Sequence, residues 1–143
     1  MTKQIAIVTS RFNEDVTRRL QVGAISRLKE RGFTTSQITS HWVPGAVEIP
    51  LVAQNLARTK KYAAIICLGA VIRGETSHYD YVCEQVSNGC QRIALDNNLP
   101  VIFGVLTTEN EQQALDRAGG RYGNKGIDAA DAALEMIQVL QKL

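Results

Sequence analysis

No stretch of this 143-residue sequence approaches the ~18 consecutive apolar residues that a membrane-crossing helix needs. The N-terminus, Met1-Thr2-Lys3-Gln4, has no long apolar segment and runs straight into a strand pattern, so no secretion signal is indicated. Cysteine is scarce, with three thiols at positions 67, 83 and 90 and no Cys-x-x-Cys pair. The odd count and the spacing argue against a disulfide framework or a zinc site, and the expected compartment is a reducing cytoplasm. Cys83 and Cys90, on one predicted helix, are expected to pack as small apolar residues. A dominant charge is missing too: 16 lysines and arginines oppose 14 carboxylates, for a net charge of +2. That excess is too small to suggest a nucleic-acid partner. The densest basic cluster, Arg58-Thr59-Lys60-Lys61, reads as a solvated turn. Repeats, linkers and low-complexity tracts are absent.

What the sequence does hold is an ordinary globular composition, 45% hydrophobic and 21% charged, over a length that suits one domain spanning residues 1–143. Strand and helix patterns alternate from end to end. Strands are expected at Ile5 to Val8, Ile38 to Val43, Ala63 to Ile72 and Val101 to Leu106. Helices are expected at about Glu14 to Arg31, Val47 to Arg58, His78 to Asp96, Asn110 to Ala118 and Asp128 to Leu140, with Gly119 to Gly126 as a glycine-rich loop. Continuous apolar strands separated by helices imply a parallel sheet covered on both faces. The fold class is therefore α/β, a three-layer α/β/α sandwich with a four-stranded parallel sheet. Ligands bind such sheets beyond the carboxyl ends of the strands. Four segments converge there: 10–13, 44–48, 69–78 and 107–110.

The segment from Gly74 to Val82 is the most informative of these. It follows the third strand and opens a helix, so its backbone N–H groups are candidates to hold phosphate. One of only two histidines, His78, sits inside it. Ser77, with Asp80 three residues later, resembles a capping box. His78 then falls in the first helical turn as a candidate proton carrier. The alternative is a plain surface histidine at a helix start, and the glycine turn before it favours catalysis. Glu75 is an awkward neighbour for phosphate but can offer its backbone N–H, while Thr76 offers N–H and hydroxyl. Arg73, at a strand end, reads as an ion-pair partner more readily than an anion ligand. Phe12 either stacks on a planar ring or folds back onto the core. Glu48 either accepts from substrate hydroxyls or favours its helix N-terminus. Arg117 and Lys125 bracket the glycine-rich loop and can supply positive charge. His41 has no evident partner and no assigned role.

Together these segments resemble the lumazine synthase family. The matching motifs are Ser-Arg-Phe-Asn at 10–13, Val-Pro-Gly-Ala-Val-Glu-Ile-Pro at 43–50, and Leu-Gly-Ala-Val-Ile-Arg-Gly-Glu-Thr-Ser-His-Tyr-Asp-Tyr-Val at 68–82. Phe-Gly-Val-Leu-Thr-Thr-Glu-Asn at 103–110, Asp-Arg-Ala-Gly at 116–119 and Gly-Asn-Lys-Gly at 123–126 follow in family order. The resemblance implies a flavodoxin-like sheet and the formation of 6,7-dimethyl-8-ribityllumazine from 5-amino-6-ribitylaminouracil and 3,4-dihydroxy-2-butanone 4-phosphate. Phe12 would stack on the pyrimidine, with Ala46, Val47 and Glu48 along the ribityl chain and Ala70, Val71 and Ile72 lining the ring pocket. Glu75, Thr76 and Arg117 would hold the phosphate, and His78 would move protons. Phe103, Arg117 and Lys125 would come from a neighbouring subunit. No metal or organic cofactor is implied. The implied partners are the two small-molecule substrates and other copies of the chain, as a homopentamer or an icosahedral shell of pentamers, with riboflavin synthase as a further partner.

Two departures stand out. Val47 occupies a position where the family commonly has an aromatic, so looser packing is expected there. The chain begins almost at its first strand, whereas many members carry an extra N-terminal segment that pairs with a neighbour's sheet. The short loop Gly119 to Gly126 resembles that of shell-forming members. Two other functions compete: a flavodoxin-like domain that binds flavin or a nucleotide without turnover, and a shell protein with a decayed site. His78, Arg117 and Glu48 together speak against the first, and the intact loop 74–78 speaks against the second.

Overall fold

The computed structural model describes residues 3–143; the reading of Met1 and Thr2 as a direct lead into a strand lies outside the described residues. Seven elements alternate along the chain: β1 (Ile5–Ser10), α1 (Glu14–Glu30), β2 (Ile38–Val43), α2 (Ile49–Arg58), β3 (Ala64–Ile72), α3 (His78–Asn97) and β4 (Val101–Thr108). After them come α4 (Glu111–Asp116), a small hairpin of β5 (Ala118–Gly120) and β6 (Gly123–Asn124), and α5 (Lys125–Gln141). The four long strands are parallel, in the order β2-β1-β3-β4.

Burial explains this arrangement. Side chains of a strand alternate between faces, and along β1 Ile5 and Ile7 join one apolar cluster while Ala6 and Val8 join another. The first cluster draws Leu20, Ala24 and Leu28 from α1 and Ala129, Ala133 and Ile137 from α5. The second draws Ile49, Ala53 and Ala57 from α2 and Val86, Cys90 and Ile93 from α3. The sheet is thus covered on both faces, as its continuous apolar runs require, and the expected three-layer sandwich is what forms. Two glycines let the helices approach closely. A Cβ on Gly126 would run into the backbone of Leu20, and one on Gly89 would lie 2.6 Å from the Pro50 ring.

The outer elements differ from the sequence-based expectation. The loop expected at 119–126 contains the β5–β6 hairpin, made possible by positive φ at Gly119 (102°) and Gly123 (82°). Helix α5 starts at Lys125 rather than near Asp128, because the Asn124 side chain accepts from the amides of Gly126 (2.8 Å) and Ile127 (3.3 Å) and caps it. Helix α4 stops at Asp116, and residues Ala46–Glu48 form a 3₁₀ turn ahead of α2.

Candidate active site

The strand order changes direction between β1 and β3, and in parallel sheets the crevice beyond such a point is where ligands bind. The loop leaving β1 is tied down on both sides of that point. The Arg11 amide donates to the Val43 carbonyl at 2.7 Å and the Phe12 amide to the Pro44 carbonyl at 2.9 Å. Asn13 adopts a left-handed conformation (φ 64°) and its side-chain Nδ2 donates to the Ala70 carbonyl on β3 at 2.9 Å. Asn is one of the few residues that tolerates this backbone region. The result is a fixed loop with the Phe12 ring 72% exposed. Phe12 therefore does not fold back onto the core.

Beyond β2, Pro44 and Gly45 lead into the 3₁₀ turn. The Glu48 carboxylate reaches back, and its Oε1 accepts from the Gly45 amide at 2.8 Å. The helix-start role considered for Glu48 is therefore present, with its second oxygen left over. Beyond β3 the chain turns outward through Arg73 to Ser77. Among the described residues, the amides of Gly74, Glu75, Thr76 and Ser77 have no acceptor, while that of His78 donates to the Thr76 hydroxyl at 3.3 Å. These exposed donors precede α3, whose macrodipole favours an anion at this end.

The Ser77–Asp80 capping box does not form. Ser77 sits in the right-handed helical region (φ −71°, ψ 0°) and makes no side-chain cap. An N-cap side chain needs an extended backbone to reach the second or third amide. The Asp80 carboxylate instead accepts from Arg73 Nη2 at 3.3 Å, and Arg73 Nε donates to Glu109 at 2.7 Å. The Arg73 guanidinium also lies 4.3 Å from the Tyr79 ring centroid. Arg73 is thus the ion-pair partner its position suggested, bracing the first turn of α3 against the end of β4. Burial pushes the Tyr79 hydroxyl above its ordinary pKa.

A cleft of about 370 Å³ gathers Phe12, Ala46, Val47, Ala70, Val71, Ile72, Thr76 and His78. Glu48 and Glu75 flank it without lining it. Five lining residues had no role assigned from sequence: Asn13, Gly45, Gly74, Tyr79 and Val82. Asn13 and Gly45 lie inside the quoted motifs, and Tyr79 and Val82 fall three apart on α3, a spacing that shares a helix face. Phe103, Arg117 and Lys125 are not in this cleft. They line a second one of about 640 Å³, with Gln113, Tyr122 and Asp128 among their neighbours. There the Arg117 Nη1 donates to the Gln113 carbonyl at 3.0 Å.

A family model described as 6,7-dimethyl-8-ribityllumazine synthase matches residues 2–141. The 6,7-dimethyl-8-ribityllumazine synthases of three Coxiella burnetii strains are each 57% identical to the chain over 140 residues, covering 98% of it and 93% of their own length. Those matches run across both clefts and every strand of the sheet, and the chain belongs to the 6,7-dimethyl-8-ribityllumazine synthase family.

Proposed function

We propose that this family member condenses 5-amino-6-(D-ribitylamino)uracil with 3,4-dihydroxy-2-butanone 4-phosphate, in a site shared between two copies of the chain. The carrying observation is the run of unpaired amides from Gly74 to Ser77, which ends at His78 in the cleft that also holds Phe12. That combination suits a phosphorylated substrate beside a planar one. Phe12 stacks on the pyrimidine, Ala70, Val71 and Ile72 line the ring pocket, and Ala46, Val47 and the free oxygen of Glu48 follow the ribityl chain. Glu75 and Thr76 hold the phosphate mainly through their N–H groups. Phe103, Arg117 and Lys125, which face a different cleft on their own chain, complete the site of a neighbour.

The chemistry needs no further parts. The pyrimidine amine attacks the ketone and a first water leaves as the imine forms. Phosphate departs by elimination, and ring closure releases a second water. His78 takes and returns the protons these steps require. Holding two reactants in one cleft contributes several kcal/mol by proximity alone, up to about 7–11 kcal/mol in well-oriented systems.

On this reading the whole chain, 1–143, is one synthase domain that works in the cytoplasm, in the penultimate step of riboflavin formation. Copies assemble as pentamers that can close into a shell, with riboflavin synthase as a partner. None of the helices among the described residues is long and apolar enough to cross a membrane. The test is direct: purified protein is mixed with both substrates and lumazine is followed by its absorbance. A rate no higher than the uncatalysed condensation would overturn the proposal. Light scattering on the intact protein separates pentamer from shell.

A further inference from the structure

The hairpin between Arg117 and Lys125 contains an arrangement of charge and aromatic surface that the motifs do not account for. Positive φ at Gly119 and Gly123 folds the chain back on itself, and the Tyr122 amide donates to the Asp116 carbonyl at 2.7 Å. This sets the Tyr122 ring, 59% exposed, over the Arg117 guanidinium, with Cζ 4.9 Å from the ring centroid. The Arg121 guanidinium lies 5.4 Å from the same centroid. Tyr122 and Arg117 line the same cleft. Among the described residues, Arg117, Arg121 and Lys125 form no ion pair with a carboxylate. Three unpaired cations on one short hairpin repel one another, and an anion relieves that repulsion.

We propose that Tyr122 is a positioning residue that holds Arg117 in place to receive the phosphate of the ketone substrate. The inference rests on the reading of Arg117 as a phosphate ligand and adds the group that orients it. A free arginine side chain loses much rotamer freedom on binding, and affinity improves when that freedom is removed beforehand. Here the Gln113 carbonyl takes one guanidinium N–H, the Tyr122 ring covers one face, and the remaining donors stay open along the edge. A guanidinium over an aromatic face keeps its full set of in-plane hydrogen bonds, so stacking and phosphate binding do not compete. The ring, not the phenol hydroxyl, carries the effect.

The experiment measures KM for each substrate with intact, assembled protein in Tyr122→Ala, Tyr122→Phe, Arg117→Ala and the Tyr122→Ala/Arg117→Ala double variant. Tyr122→Ala is expected to raise KM for the phosphorylated ketone about three- to tenfold, with KM for the pyrimidine and the thermal midpoint unchanged. Tyr122→Phe is expected to match the wild type. In the Arg117→Ala background, Tyr122→Ala is expected to add nothing. The inference is overturned if Tyr122→Ala leaves the ketone KM untouched, raises both KM values equally, or adds its full effect to Arg117→Ala. It is equally overturned if Tyr122→Phe behaves as Tyr122→Ala does. A silent Arg117→Ala removes the phosphate-ligand reading itself, and the inference with it, a result distinct from silence at Tyr122 alone.

Discussion

Among the described residues, the His78 ring forms no hydrogen bond, and its backbone amide is tied only to the Thr76 hydroxyl. A side chain left free at the mouth of a row of unpaired amides is placed to serve a substrate rather than the fold. His78→Ala is therefore expected to lower kcat about ten- to a hundredfold while leaving both KM values near wild type, because the cleft still holds the reactants together. Steady-state kinetics reads this directly, and a wild-type kcat would remove the proton-transfer role. Cys67 is the opposite kind of residue. The hydrogen bond its thiol donates to the Cys90 sulfur and complete burial hold it well above the ordinary range. It is expected to stay unmodified when native protein is treated with iodoacetamide at pH 8 and to react once unfolded; native-state labelling mapped to Cys67 would contradict the buried pair. His78 and Phe12 are legible as residues because each lies just beyond a strand end, Phe12 in the loop after β1 and His78 at the start of α3. Ser77 was misread because capping depends on backbone angles, which a residue's identity does not fix.

At the scale of elements, the core strands and helices follow from apolar periodicity, and β2 begins and ends where the pattern puts it. The β5–β6 hairpin was not legible. Strands of three and two residues are too short to show a period of two, and three of the five are glycine. The Gly-Asn-Lys-Gly motif was legible as a signature but not as a structure. In the fold it is a helix start: Asn124 caps α5 and donates to the Arg19 carbonyl of α1 at 3.2 Å, while Gly126 lets α5 lie against Leu20. Much of that motif thus serves packing, with Lys125 alone turned to the cleft. Gly126→Ala forces a methyl group into the backbone of Leu20, which cannot rotate away as a side chain would. The expected cost is about 2–4 kcal/mol, seen as a lower urea midpoint. An unchanged midpoint would mean that the helices part without penalty. A control at Gly74, where a Cβ meets nothing within 4 Å, is expected to leave stability unaltered.

For the whole molecule, the decisive feature is that residues expected in one site divide between two clefts of the same chain. Adjacency in sequence could not reveal this, because it depends on which side of the β4 edge each loop occupies. If the site is completed by a neighbour, the two halves can be supplied by different subunits. A His78→Ala subunit keeps a sound Arg117, and an Arg117→Ala subunit keeps a sound His78. In a co-expressed, randomly mixed ring, about one interface in four then pairs His78 of one subunit with Arg117 of the next. Measured at ketone concentrations below KM, the mixed assembly is expected to show about a quarter of wild-type activity above the average of its parents. A site contained within one subunit predicts no such gain, because every chain in the mixture carries one lesion. Activity equal to the parental average would therefore return Arg117 to its own subunit. The two clefts would then have to join by movement of the β5–β6 hairpin rather than by assembly.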